Sequence, residues 1–188
     1  MPPKQKISRD RLLEHAFLIA EEQGITAVTS RSVAKSVGCS IQPVFSHFPT
    51  MDDLRKATFD YACDKFVKEI LTFENQPDFF ALVTKWVINL ARNKPNLFKL
   101  LYLSDGFHGH SLMKVMVNFE SNRKMIAKMA ELYKLNEDVC KEILMRSCLF
   151  LLGISTMICV NHMDFSDEQI GDMMKRTVSD MVNGAREV

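Results

Sequence analysis

Glycine and proline are scarce in this chain, with seven and six residues among 188. Long apolar-periodic stretches dominate instead, without strand-like alternation, so the sequence predicts an all-α protein. The five cysteines are an odd number and include no CxxC pair, which argues against a disulfide framework or a zinc ribbon. Reduced thiols therefore indicate a cytoplasmic protein.

The chain also has no strong excess of either charge, because its net charge is only +1. The first eleven residues nevertheless carry four basic side chains and one acidic one. Such a basic tip suits a phosphate-seeking arm and equally suits an ordinary solvated terminus. The tip has no apolar core, so we expect no signal peptide. The longest apolar run, 148–160, is shorter than the ~20 residues that span a bilayer, so we expect no membrane segment.

Residues 8–48 are predicted to form three short helices. Ser8 is placed to cap the first helix, and Gly24 follows its last apolar residues. Thr29 or Ser30 can cap the second helix, which Gly38 ends. The turn to the third helix is so short that the two helices must cross at a steep angle.

The third helix is predicted to start after Ser40 as its N-cap. Pro43 would then be the third helical residue, where a missing N–H costs little because first-turn amides have no intrahelical partner. The alternative is an apolar loop. The apolar positions follow helical spacing and are Ile41, Val44, Phe45 and Phe48.

A tight turn between two short helices is the geometry of a DNA-reading helix-turn-helix. If Val44, Phe45 and Phe48 point mostly inward, Ile41, Gln42 and Ser46 are left outward. Gln42 can bond adenine bidentately and Ile41 can meet a thymine methyl. The residues placed to hold phosphates are Ser40 and, at the start of the preceding helix, Thr29, Ser30 and Arg31.

Segment 8–62 resembles the N-terminal domain of the TetR family of bacterial transcription regulators. The matching features are Gly24 after the first helix, the Thr/Ser-Arg-x-Val-Ala start at 29–34, the turn at 38–40 and the aromatic-x-His-Phe-Pro ending at 45–49. The spacing of that ending from the turn glycine is the specific part of the match. The remainder of the chain agrees only in length and helical character.

The resemblance implies a homodimer that binds a near-palindromic operator in double-stranded DNA, usually as a repressor released by a small molecule. It also implies dimerisation through the last two long helices, about 137–162 and 167–185. Carried onto matching positions, the implied phosphate contacts are Thr29, Ser40, Phe45 and His47, and the implied base-facing residues are Ile41, Gln42 and Pro43.

Two positions depart from the family pattern. Phe45 stands where the family usually has tyrosine, and Met51 stands where it often has lysine. Both changes remove a phosphate contact, so we expect weaker and less salt-sensitive DNA binding unless Lys35, Lys56 or the basic tip substitutes. The alternative function is a regulator-like protein that acts through a protein partner with little direct DNA binding.

The chain after residue 50 is predicted to form longer helices, giving about nine in all. A helix over 51–73 links a DNA-binding domain at 1–50 to an effector-binding and dimerisation domain at 51–188. The further predicted helices are 78–93, 95–102, 110–134, 137–162 and 167–185.

Most of the twelve methionines lie in the second domain, and methionine suits pockets for variable apolar ligands. The predicted lining residues of an effector pocket are Trp86, Tyr102, Met116 and Phe119. The alternative is that these residues are simply core.

The run 143–160 is apolar nearly all round its helix, so it must be covered on both faces. Dimerisation would cover the second face, with Gly153, Ser155 and Thr156 allowing close helix approach. Burial within one protomer is the alternative.

The sequence offers little chemistry beyond binding. His108 and His110, with His162 and Asp164 distant in sequence, form only a weak metal pattern. No nucleophile elbow, phosphate loop or HExxH motif occurs. We therefore expect no metal site, no cofactor and no enzymatic activity.

Overall fold

A computed structural model describes residues 7–73, 76, 78–104 and 120–187 of the chain. These residues form nine α-helices and no β-strand, which confirms the all-α prediction. The helices are α1 (Arg9–Gln23), α2 (Ser30–Val37), α3 (Gln42–His47), α4 (Met51–Leu71), α5 (Phe79–Asn93), α6 (Pro95–Phe98), α7 (Glu120–Tyr133), α8 (Glu137–Asn161) and α9 (Asp167–Arg186). A short π-helical turn, Lys99–Leu103, continues α6.

The described residues divide into two compact units. The first unit contains 7–65 and 94–104, and the second contains 66–73, 76, 78–93 and 120–187. The first unit is thus larger than the predicted domain at 1–50, because it takes in most of α4 and all of α6.

Local signals place the first three helices. The Ser8 hydroxyl accepts a hydrogen bond from the Arg11 amide at 3.3 Å and caps α1. Gly38 ends α2 with a φ of +78°, a left-handed conformation that favours glycine. The core of this unit contains the fully or nearly fully buried side chains of Leu12, Ala16, Val28, Val33, Ala34, Val44, Phe48 and Leu54.

Helix α8 is the centre of the second unit and packs against α5, α7 and α9. The Asn136 side chain caps α8, and Ser166 and Gln169 form a capping box at the start of α9. The buried core of this unit contains Ile70, Phe79, Met125, Ile126, Met129, Cys140, Ile143, Leu144 and Val182.

Helix α8 is long and apolar enough to cross a membrane by length and composition alone. A core helix has the same properties, and 44% of the most apolar part of α8 is buried in the protein. Its packing against three other helices accounts for the apolar residues on its buried side.

Candidate functional site: the helix-turn-helix surface and a groove in the second unit

The structure corrects the predicted start of the third helix. Helix α3 begins at Gln42, so Pro43 is its second residue rather than its third, and Ser40 does not cap it. Ile41 already has helical backbone angles, and its carbonyl accepts the Phe45 amide at 3.2 Å. Because an amide at the second position has no intrahelical partner, the proline is tolerated there for the reason the sequence suggested.

Helix α3 has one buried and one exposed side. Val44 and the following residue Phe48 are buried, at 1% and 2% exposure. Phe45 was predicted to point mostly inward, and this is wrong, because 44% of it is exposed. The cause is that α3 is less than two turns long, so only one edge of it meets the core. Ile41 is similarly exposed, at 46%.

The polar residues on the exposed side of α3 are available at the surface. Gln42 and Ser46 are both exposed. The Ser46 hydroxyl donates to the Gln42 carbonyl at 2.9 Å, which holds Ser46 against its own helix. Pro43 is half-buried, and Ser40 is exposed in the turn before the helix.

The first turn of α2 is already occupied by contacts within the protein. The Thr29 hydroxyl accepts the Ser32 amide at 3.1 Å and caps the helix. Ser30 is buried, and its amide N–H points at the Met51 sulfur at 3.3 Å. Met51, which stands where the TetR family often has lysine, therefore occupies an α2 amide that a phosphate could otherwise approach.

His47, the last residue of α3, is half-buried and lies against the start of the chain. Its Nε2 atom is 3.1 Å from the Ile7 carbonyl oxygen. The Arg9 guanidinium lies 5.1 Å from the centre of the Phe48 ring. These two contacts fix the first turn of α1 beside the end of α3.

Arg31, Lys35 and Lys56 are further cations of the same unit. Arg31 and Lys35 are exposed on α2. Lys56, on α4, pairs with Asp60 at 3.3 Å. Such an exposed pair is weak and leaves Lys56 able to exchange partners.

The second unit contains a groove with a volume of 730 Å³. Helices α5 and α9 form its walls, and α7 and α8 form its floor. Its surface is mostly apolar, and its size is typical of a site for a drug-sized molecule. Its apolar lining includes Phe80, Val83, Ile88, Met125, Met129, Leu144, Leu151, Ile170, Met174, Val178 and Val182.

Polar groups lie at the two ends of the groove. At one end the Arg92 guanidinium binds the Asp167 carboxylate and the Phe165 carbonyl, which ties α5 to the start of α9. At the other end Arg186 donates to the Tyr133 carbonyl at 3.0 Å. Burial raises the pKa of the Tyr133 hydroxyl. The two walls are therefore tied together at one end, and at the other end α9 is tied to α7.

One thiol lines the groove. Burial raises the pKa of the Cys148 thiol to about 11, so at neutral pH it is a protonated, weakly nucleophilic group. It contributes an apolar surface rather than a reactive centre.

Of the predicted pocket residues, Trp86 and Tyr102 do not line this groove. The Trp86 indole N–H donates to Glu69 at 2.8 Å, and its ring packs edge-on against Phe66 at 5.0 Å. Tyr102 belongs to the first unit and packs against Phe98. Met116 and Phe119 lie outside the described residues.

Sequence reasoning missed the α9 wall of the groove. Gly171 lies in that wall, within a helix, and a Cβ atom added there would meet open space. Glycine in a helix interior costs roughly 1 kcal/mol relative to alanine, but Gly184 in the same helix also meets open space and lies outside the groove, so no sequence signal distinguished this wall.

A stripe of apolar side chains on α8 faces solvent. It contains Leu149, Phe150, Met157 and Val160, which are 36–50% exposed, with the exposed Gly153 among them. Ser155 is fully buried and donates to the Leu151 carbonyl, so it packs inside the protomer rather than on this stripe. The apolar run is thus covered on one side only.

No group of three or more potential metal ligands occurs among the residues that the structure describes. His108 and His110 lie outside those residues. All five cysteines are described, and all five are free thiols.

Comparison with solved structures identifies two complexes of the multidrug binding protein EbrR. The complex with ethidium is 17% identical, has a TM-score of 0.57 and is matched over 94% of this chain and 99% of EbrR. The complex with imidazole is 16% identical, with a TM-score of 0.56 over 92% and 96%. A TetR transcriptional regulator from Rhodococcus sp. RHA1 is 15% identical over 92% and 93%, with a TM-score of 0.47.

No protein-family model and no curated protein sequence matches the chain. The resemblance therefore rests on three-dimensional structure, at identities too low to carry a function across. The likeness to EbrR shows that this chain shares the EbrR fold.

Proposed function

We propose that this protein is a DNA-binding transcriptional regulator, acting as a repressor that a small molecule releases from its operator. The observation that carries the proposal is the exposure of Ile41, Gln42 and Ser46 on one side of α3, directly after the tight turn at Gly38. A short helix that presents an amide and an apolar side chain beyond a tight turn fits the major groove of DNA.

The test is duplex binding by the full-length protein at several salt concentrations. The logarithm of the affinity should fall linearly with the logarithm of salt concentration, because phosphate contacts release counterions. A folded protein that binds no duplex even at low salt would exclude the proposal.

The proposed regulator works as a homodimer through α8 and α9. The exposed stripe of Leu149, Phe150, Met157 and Val160 supports this, because a row of apolar side chains along one helix face suits helix-to-helix association. Gly153 lies within the stripe and would allow two α8 helices to approach closely.

The proposed effector site is the groove between α5 and α9. Its volume and its methionine-rich, mostly apolar lining suit a flat apolar molecule rather than a strongly polar one. The EbrR complex with ethidium shows that one protein of this fold holds a planar aromatic cation. We propose the same ligand class for this chain, with the groove as its site.

Filling the groove tests the effector site. Gly171→Leu would place an isobutyl group into the open space beside α9, whereas Gly184→Leu places one on the same helix outside the groove. Ethidium fluorescence, measured without DNA, should rise with wild type and with the Gly184 variant. The Gly171 variant should bind at least about tenfold more weakly, equivalent to ~1.4 kcal/mol. Equal binding by both variants would place the ligand elsewhere.

A protein partner is the second candidate function. Ile41 and Phe45 expose apolar surface on the same face of α3, and such surface suits a protein as well as a thymine methyl. Recovery of one stoichiometric partner by a folded protein that has no salt-dependent DNA affinity would favour this function.

A further inference from the structure

His47 uses its hydrogen-bond donor inside the protein. Its Nε2 atom lies 3.1 Å from the Ile7 carbonyl, and a carbonyl can only accept, so Nε2 carries the proton. A neutral imidazole has one N–H, and the remaining nitrogen, Nδ1, is an acceptor. Neutral His47 therefore has no donor left for a DNA phosphate.

The contact instead places a cation next to the recognition helix. Ile7 is two residues before Arg9, whose guanidinium lies 5.1 Å from the centre of the Phe48 ring. Phe48 is 2% exposed, so its ring is fixed by the core. Arg9 is itself exposed and forms no ion pair with any carboxylate in the described part of the chain. Its charge is thus held in place yet available to an external anion.

We propose that the first turn of α1 is a second DNA-contacting element, in which Arg9 binds a phosphate and His47 acts as a positioning residue. The inference rests on the proposed function. It gives His47 a role through Ile7 and Arg9 rather than a phosphate contact of its own. It also offers a phosphate contact in place of two that the chain lacks, because Phe45 has no hydroxyl and the sulfur of Met51 occupies the Ser30 amide.

The test is a double-mutant cycle on the salt dependence of duplex binding. Each phosphate contact contributes a slope of about −0.9 in a plot of log affinity against log salt. Arg9→Gln should therefore reduce the slope by about one. Arg11→Gln is the matched control, because Arg11 lies two residues further, about 200° round the same helix, and should leave the slope unchanged.

Substitution of His47 separates positioning from direct contact. His47→Ala should reduce the slope by about as much as Arg9→Gln, and the double variant should lose no more than either single variant. His47→Gln keeps an N–H donor for the Ile7 carbonyl and should retain most of the slope. Urea unfolding of each variant shows whether the unit is still folded.

Two results would overturn the inference while leaving the proposed function intact. The first is a wild-type slope for Arg9→Gln in a protein that still binds DNA. The second is an additive loss in the double variant, which would mean that His47 contacts phosphate directly. Absence of all salt-dependent DNA binding in the wild type would instead remove the proposed function itself.

Discussion

The two units of the molecule present different kinds of surface. In the first unit, polar side chains around α3 are held by hydrogen bonds, such as Ser46 to the Gln42 carbonyl and His47 to the Ile7 carbonyl. In the second unit, the candidate site is a space between helices, bordered by Gly171, with hydrogen bonds of Arg92 and Arg186 near its ends. A reading surface needs fixed donors, whereas a site for varied apolar molecules needs room. This difference supports a division of labour between DNA contact and ligand binding.

The largest expected effect is a loss of unfolding free energy that is confined to one of the two units. Leu12→Ala removes a side chain with 0% exposure from the first unit and should cost about 2–5 kcal/mol of unfolding free energy. DNA affinity should fall with the folded fraction of this unit, while self-association through α8 and α9 persists. Urea unfolding, duplex binding and sedimentation measure these three quantities.

The control truncation lies in the second unit. Ile143→Ala, at a side chain with 4% exposure that does not line the groove, should weaken self-association as well as stability. Equal loss of self-association in both variants would show that the two functions are not divided between the units.

The next effect concerns the apolar stripe of α8. Met157→Glu should weaken self-association by about a hundredfold, because an unpaired carboxylate in an apolar interface costs roughly 3 kcal/mol. Leu132→Glu introduces the same charge at an exposed apolar residue of α7, outside the stripe, and should have little effect. Equal behaviour of the two variants in sedimentation equilibrium would mean that the stripe is not the dimer interface.

A smaller effect tests the missing hydroxyl on α3. Phe45 is 44% exposed, so Phe45→Tyr has room for the added group and should strengthen duplex binding about tenfold through a hydrogen bond to a charged phosphate. Phe165→Tyr, a half-buried position between α8 and α9 that is outside the stripe, is the control. Unchanged affinity of the Phe45 variant would show that this ring does not approach the DNA backbone.

The smallest effects come from one glycine in each unit. Gly38 has a φ of +78°, so Gly38→Ala should lower stability by about 1 kcal/mol although its surroundings leave room for a methyl group. Gly171 is helical and faces open space, so Gly171→Ala should raise stability by roughly 0.5–1 kcal/mol. Thermal unfolding of both variants checks the opposite signs, and a shared sign would contradict the account of one of the two glycines.

The first unit could largely be predicted from the sequence because its signals are local. Ser8, Thr29 and Gly38 cap or end helices within a few residues of themselves, and the structure confirms all three. The inward prediction for Phe45 failed because helical spacing does not say how much of a six-residue helix meets the core.

In the second unit, the sequence predicted the helices but not the groove between them. The groove depends on the separation of α5 and α9, which lie about 75 residues apart along the chain where Arg92 meets Asp167. No local pattern encodes that separation, so Trp86 was predicted as pocket lining on its chemistry alone. Its indole N–H is instead bound to Glu69 outside the groove. The predicted roles of the site residues in DNA and ligand binding stay predictions.

In vitro selection of random duplexes by the full-length protein tests the central claim most directly. The wild type should enrich a near-palindromic sequence with half-sites about 34–36 Å apart, or a multiple of that distance. Gln42→Ala should relax one position in each half-site, at a cost of about 1–3 kcal/mol per contact. Failure of the folded wild-type protein to enrich any sequence would contradict the assignment of α3 as a DNA-reading helix.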